Sequence, residues 1–262
     1  MRGCVIPFLS KYCPEKPELL QAASIIGKSV AACAILLFLV VGVWWNIPAT
    51  QSIHSSKPQL NTVERVTTSV KSDLAWWEIR RFYHHIETRL PQYRWQFEEV
   101  AKAYGISWTL LAAQAYQESH WDRHAVSPTG VRGIMMLTRD TASFLGIQNR
   151  EDPTKSIEGG ARYFQILEKR LPRRIGKADR TWIALAAYNV GMGHIKDAQY
   201  LARRMGKNPH SWNDLKTMLP LLAQEPYHET LRYGYARGWE PVRYVKRIRA
   251  YHALLEQYLS EI

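Results

Sequence analysis

At 262 residues, 46% hydrophobic and 22% charged, the chain has room for one good-sized domain with appendages, and its balance excludes wholesale disorder and a polytopic membrane protein. Lys and Arg number 35 against 23 Asp and Glu, a net charge of +12, and 10 Trp with 14 Tyr add stacking surface. Such a chain suits nucleic acid, an anionic membrane or an acidic polysaccharide, and composition does not choose among them.

The first predicted element is apolar. Val30 to Trp45 is a sixteen-residue run without a charge, about 24 Å as a helix against a hydrocarbon core of roughly 30 Å. Ser29 and Asn46-Ile47 extend it, and Trp44 and Trp45 suit an interfacial belt. Residues 29–47 are therefore read as one N-terminal transmembrane helix. Arg2, Lys11, Lys16 and Lys28 precede it, which places residues 1–28 in the cytoplasm and the remainder outside. A cleaved signal peptide is disfavoured by the long leader. The lipoprotein-like Val30-Ala31-Ala32-Cys33 precedes the apolar stretch instead of following it. Residues 48–73, with Pro48, Pro58 and many Ser, Thr, Gln and Asn, read as a flexible spacer. Cys4, Cys13 and Cys33 are the only cysteines, so the body has no disulfide framework or Cys-rich zinc site and suits an oxidising compartment.

From 74 to 262 the pattern is mainly α. In 107–119 apolar or small residues recur every three or four positions behind Ser107 as N-cap. A similar run over 178–189 is expected to end at Gly191 and Gly193. Tyr244, Val245, Ile248, Tyr251, Leu255 and Tyr258 form one stripe of a last helix. Gly130 to Met136 reads as an irregular connection with room for a small sheet. The basic clusters Arg173-Arg174 and Arg243-Lys246-Arg247-Arg249 read as solvated faces able to attract carboxylates.

One carboxyl stands out. Glu118 shares the inward stripe of its helix with Leu111, Gln114 and Ala115. Desolvation there would raise its pKa and suit it to general-acid cleavage of a glycosidic bond. The bland alternative is a Glu fraying into solvent at a helix end. The nearest acid, Asp122, stands next to Arg123 and reads as a surface ion-pair group. The nine histidines show no metal-ligand spacing, and no metal or cofactor is expected.

Further segments follow in order: Ser127-Pro128-Thr129-Gly130, Gly133-Ile134-Met135-Met136, Ala187-Tyr188-Asn189-Val190-Gly191, and Glu240-Pro241-Val242-Arg243-Tyr244-Val245. In this order and spacing, over roughly residues 80–260, the chain resembles the family 1 lytic transglycosylases, SLT-domain enzymes with a goose-type lysozyme-like helical fold, and most closely their membrane-bound members. The resemblance implies a peptidoglycan lyase of the periplasm, held at the inner membrane by a single pass. It would cleave the β-1,4 bond between N-acetylmuramic acid and N-acetylglucosamine and leave a 1,6-anhydro end.

Under that resemblance Glu118 is the acid and then the base. Ser127, Tyr188, Asn189, Glu240 and Tyr244 are substrate-binding or orienting residues. Met136 takes the place of a common Gln, which removes any sugar hydrogen bond that Gln would make; Met135 and Met136 read as lining the core or cleft floor. The expected partner is the glycan strand. Alternatives are a hydrolytic goose-type lysozyme, or a wall-opening module serving secretion or conjugation machinery. Nucleic acid is disfavoured because no recognition helix or stacking sheet accompanies the charge.

Overall fold

The computed structural model describes residues 74–262. The expected transmembrane helix, the spacer and all three cysteines lie outside them. Among the described residues no helix is long and apolar enough to cross a membrane.

Ten α-helices carry the described region: α1 (Trp76–Thr88), α2 (Arg94–Tyr104), α3 (Trp108–Ser119), α4 (Arg139–Phe144), α5 (Pro153–Arg170), α6 (Lys177–Val190), α7 (Met192–Arg204), α8 (Trp212–Met218), α9 (Glu225–His228) and α10 (Trp239–Ser260). Short 3-10 turns cover Leu90–Gln92 and Leu219–Ala223. The mainly α class holds, and the anticipated small sheet shrinks to two isolated bridges, Val126 with Arg132 and Arg132 with Leu137.

Helix α3 is the axis of the core. Ser107 caps it as expected, its hydroxyl accepting the Leu110 N–H over 3.3 Å. Its residues are buried almost all round, which is the signature of an interior helix rather than an amphipathic surface one. Ala112, Ala113 and Ala115 keep it thin, so α10 packs along one side and α2 along another. Helix α6 packs against both α10 and α5. The stripe expected on the last helix is the one that faces this core: Tyr244, Val245, Ile248, Tyr251 and Leu255 are all buried. The ends of α3, α6 and the first turns of α10 thus converge, and the 126–137 connection lies across them.

One expected stop signal is split between two roles. Gly191 ends α6 with φ 91, but Gly193 is already inside α7. A Cβ at Gly193 would meet the Tyr233 ring at 2.5 Å, so close packing against that ring, not chain termination, requires the glycine.

Candidate active site

Glu118 is the penultimate residue of α3. Beyond it the chain turns sharply: His120 and Trp121 both have positive φ, 54 and 59, a conformation rarely adopted by residues with a Cβ. Several bonds hold that turn. Trp121 Nε1 donates to the Ala112 carbonyl over 2.8 Å, and Ser119 Oγ donates to the Ile134 carbonyl over 2.8 Å. The second bond ties the end of α3 to the 126–137 connection.

The Glu118 side chain is only partly exposed and meets α10 through Tyr244, whose hydroxyl donates to Oε1 over 2.5 Å. Burial pushes the Glu118 carboxyl up to about 8, against the opposing effect of that hydrogen bond. Tyr244 and Tyr188 are both raised well above the usual phenol range, by burial first and then by the neighbouring Glu118 carboxyl, with a further contribution from Tyr188 on Tyr244 and from Tyr163 on Tyr188. The two phenols therefore stay protonated: the Tyr244 hydroxyl donates to Glu118 while accepting from Gln114 Nε2 over 3.4 Å. A protonated acid against two neutral hydroxyls is able to give a proton at neutral pH and to take one back.

Tyr188 sits at the last turn of α6. Its hydroxyl donates to the Met135 carbonyl over 3.0 Å, and its ring meets Tyr163 edge-on at 5.3 Å. With Asn189, Val190 and Gly191 it lines a groove of about 180 Å³, whose other wall is Met136, Leu137, Thr138 and Tyr163. Met136 lies on this wall with φ 46, while Met135 is fully buried. One methionine lining the cleft and the other in the core matches the sequence expectation.

Ser127 is buried, and its hydroxyl accepts the Val131 N–H over 3.0 Å, holding the turn of the 126–137 connection. Glu240 lies one turn before Tyr244 on α10, buried and paired to Arg237 over 2.9 Å. Burial raises its pKa and the Arg237 charge opposes that shift. Asp122 is exposed, and its Oδ1 accepts the His124 N–H over 2.9 Å.

Sequence reasoning missed several groove residues. Asp140 and Thr141 on the first turn of α4, and Tyr163 on α5, line the groove, and nothing in their local spacing marks them. The reading of the last basic cluster as a solvated face is corrected at one position. Arg243, Lys246 and Arg249 are exposed, but Arg247 is buried. Its Nε donates to Gln117 Oε1 over 2.8 Å, and its Nη2 to Glu78 Oε1 over 2.6 Å and the Tyr251 hydroxyl over 2.7 Å.

Residues 96–211 match the family described as Transglycosylase SLT domain. The chain carries an SLT transglycosylase domain. Glu118, Ser127, Met136, Tyr188 and Asn189 lie within the matched part, whereas Glu240 and Tyr244 lie beyond it. The chain is similar to membrane-bound lytic murein transglycosylase F 1 of Alkalilimnicola ehrlichii, at 47% identity over 253 residues, covering 92% of this chain and 49% of that protein. It is 57% identical over 176 residues to membrane-bound lytic murein transglycosylase F of Marinobacter nauticus, covering 67% of this chain and 35% of the relative. The namesake from Maricaulis maris is 56% identical over 183 residues, covering 70% and 40%. The chain thus spans half or less of the length of these relatives. Among solved structures it is similar to an inactive variant of lytic transglycosylase Slt from Pseudomonas aeruginosa, with a TM-score of 0.48 and 18% identity over 76% of this chain and 28% of that one.

Proposed function

We propose that the SLT domain of this chain is a goose-type lysozyme-like peptidoglycan lytic transglycosylase that works with a single carboxyl group. The observation that carries the reading is the Glu118 acid, raised to about 8 by burial and bonded to Tyr244 beside the Tyr188–Asn189 groove. Glu118 gives its proton to the glycosidic oxygen as the bond from C1 of N-acetylmuramic acid to that oxygen breaks. The C6 hydroxyl of the same sugar then bonds to C1, and its proton passes to the Glu118 carboxylate. The acid is regenerated, no water is consumed, and the product ends in a 1,6-anhydro ring.

Glycosidases that deliver water use two carboxyl groups, about 5–5.5 Å apart in retaining enzymes and about 6.5–9.5 Å in inverting ones. An internal hydroxyl nucleophile removes the need for the second. Tyr244 holds Glu118 by a charge-assisted hydrogen bond in its ionised state. Tyr188 and Asn189 orient the sugar on the groove wall, and Met136 offers it an apolar surface. Ser127 acts through the turn that it holds. Glu240, fixed by Arg237, presents the first turn of α10 to sugar hydroxyls.

Anchoring through residues 29–47, with the domain on the periplasmic side, is supported by the uncharged run and the basic residues before it, and by the membrane-bound names of the relatives. Resistance of the full chain to carbonate extraction, with protease access to the domain only from the periplasmic face, tests that topology. Release by carbonate would contradict it. For the reaction, purified sacculi digested with the full chain are expected to yield anhydro-muramic ends by mass spectrometry, with no such ends from Glu118→Gln.

A further inference from the structure

We infer that Arg247, bonded at once to Glu78 of α1 and Gln117 of α3, is a positioning residue for Glu118, and that α1 is the brace through which it acts. The inference rests on the catalytic assignment of Glu118 made above. Arg247 is one helical turn beyond Tyr244 on α10, and Gln117 is the residue before Glu118 on α3. One guanidinium therefore fixes the separation of the two helices whose side chains meet in the Tyr244–Glu118 hydrogen bond. Its Nη2 donates to Glu78, at 2.6 Å with both side chains nearly buried, and to the Tyr251 hydroxyl.

Helix α1 holds the same corner at three further points. Arg89, just past its end, donates from Nη1 to the His120 carbonyl over 3.0 Å. Arg81 Nη2 lies 3.4 Å from His120 Nε2, and His85 Nδ1 lies 3.1 Å from the Tyr116 hydroxyl. Two of these contacts are to His120, the first positive-φ residue after Glu118, and the third is to Tyr116, two residues before it. All of them come from a helix outside residues 96–211, the part that matches the SLT family.

A buried ion pair is a poor way to gain stability, since apolar residues of similar volume often serve as well or better. What it fixes is position, because the planar fork of Arg bonds two partners in set directions. Glu78 is pushed up by burial, but the hydrogen bond and charge of Arg247 outweigh this and hold it below the usual carboxylate range. His85 and His120 are both pushed down to about 4, by burial first and then by nearby arginines, so they stay neutral and the brace keeps its charge pattern across neutral pH. The titratable groups facing Glu118 are Tyr244 and Tyr188; those facing Arg247 are Glu78, Tyr251 and His120.

The test compares full-length wild type, Arg247→Met, Arg247→Lys and the double variant Glu78→Gln/Arg247→Met. The quantities read are kcat and KM on uncrosslinked glycan strands, the melting temperature, and the titration of the Glu118 carboxyl by 13C NMR, assigned by its absence in Glu118→Gln. Arg247→Met is expected to lower kcat by on the order of tenfold to a hundredfold with little change in KM, as misplacement of a reacting group does. Its Glu118 titration should move up, because the carboxyl loses its alignment with the Tyr244 hydroxyl that lowers it.

Loss of a nearby cation would also move that titration up, so Arg247→Met is repeated in a Tyr244→Phe background: positioning through Tyr244 predicts no further shift there, and simple electrostatics predicts the same shift. Arg247→Lys, able to keep the Glu78 pair but not the fork, should remain impaired. The double variant leaves no unpaired buried charge; it should recover melting temperature but not kcat, and it carries the test if Arg247→Met does not fold. A variant with lowered melting temperature but unchanged kcat, or with a Glu118 titration that is unmoved or that shifts equally in the Tyr244→Phe background, overturns the inference. The titration needs no turnover, so it stands apart from the lyase reading. Reducing-end products from the wild type would sink that reading and leave the brace to be judged by NMR.

Discussion

Tyr244 and Glu118 lie 126 residues apart in the chain and meet across two packed helices in a 2.5 Å hydrogen bond. The phenol is fully buried and the acid partly so. Short charge-assisted bonds of this kind are stronger than neutral ones, and inside a low-dielectric site they also fix direction. The bond favours the ionised state of an acid that burial holds protonated, so the two influences are set against each other at one oxygen.

Tyr244→Phe removes that donor while keeping the ring. A hydrogen bond to a charged group contributes roughly 1.5–3 kcal/mol, so kcat is expected to fall by about ten- to a hundredfold. The Glu118 titration should move up, since the bond lowers it in the wild type. A pH–rate profile checks both. A variant with wild-type kcat would show that the hydroxyl is not part of the reaction.

Burial of Glu118 makes stability depend on pH in a definite direction. The folded carboxyl titrates near 8 against 4.5 for an ordinary one. Between those values the folded state holds a proton that the unfolded state has lost, so stability declines as pH rises and levels off above about 8. Below the unfolded value both states are protonated and the penalty vanishes. Glu118→Gln is therefore expected to be more stable than wild type at pH 7, by up to roughly 3 kcal/mol, and equal to it near pH 4. Calorimetric melting of both proteins across that range measures the difference.

Gly133 sits in the connection that presents the Met135 carbonyl to Tyr188. Its φ is 83, and a Cβ would lie 1.8 Å from the Arg150 carbonyl oxygen. Gly133→Ala is expected to cost at least about 2 kcal/mol, a drop of roughly 4–8 °C in melting temperature. Activity should fall with it, because Met136 lies on that segment and Tyr188 is bonded to it through the Met135 carbonyl. Urea unfolding and a sacculus-clearing assay read the two effects.

Local features were legible in the sequence. The Ser107 cap and the small-residue spacing of 107–119 mark α3, and they place Glu118 on its inward face. The stripe from Tyr244 to Leu255 marks the buried face of α10. What could not be read depends on partners distant in sequence. Arg247 stands in a run of basic residues whose composition is that of a surface; only the crossing of Glu78 from α1, with Gln117 opposite, makes it an interior group. Gly193 looks like a helix stop because the Tyr233 ring that excludes a side chain there arrives forty residues later. Asp140 and Tyr163 reach the groove through tertiary packing alone, with no pattern to announce them.

Product analysis of digested sacculi is the most direct measurement of the single-carboxyl reaction. Full-length wild type should release muropeptides ending in 1,6-anhydro-muramic acid, lighter by one water than hydrolysed fragments, and Glu118→Gln should release none while still binding the wall. Fragments with reducing ends, or undiminished release by the variant, would contradict it.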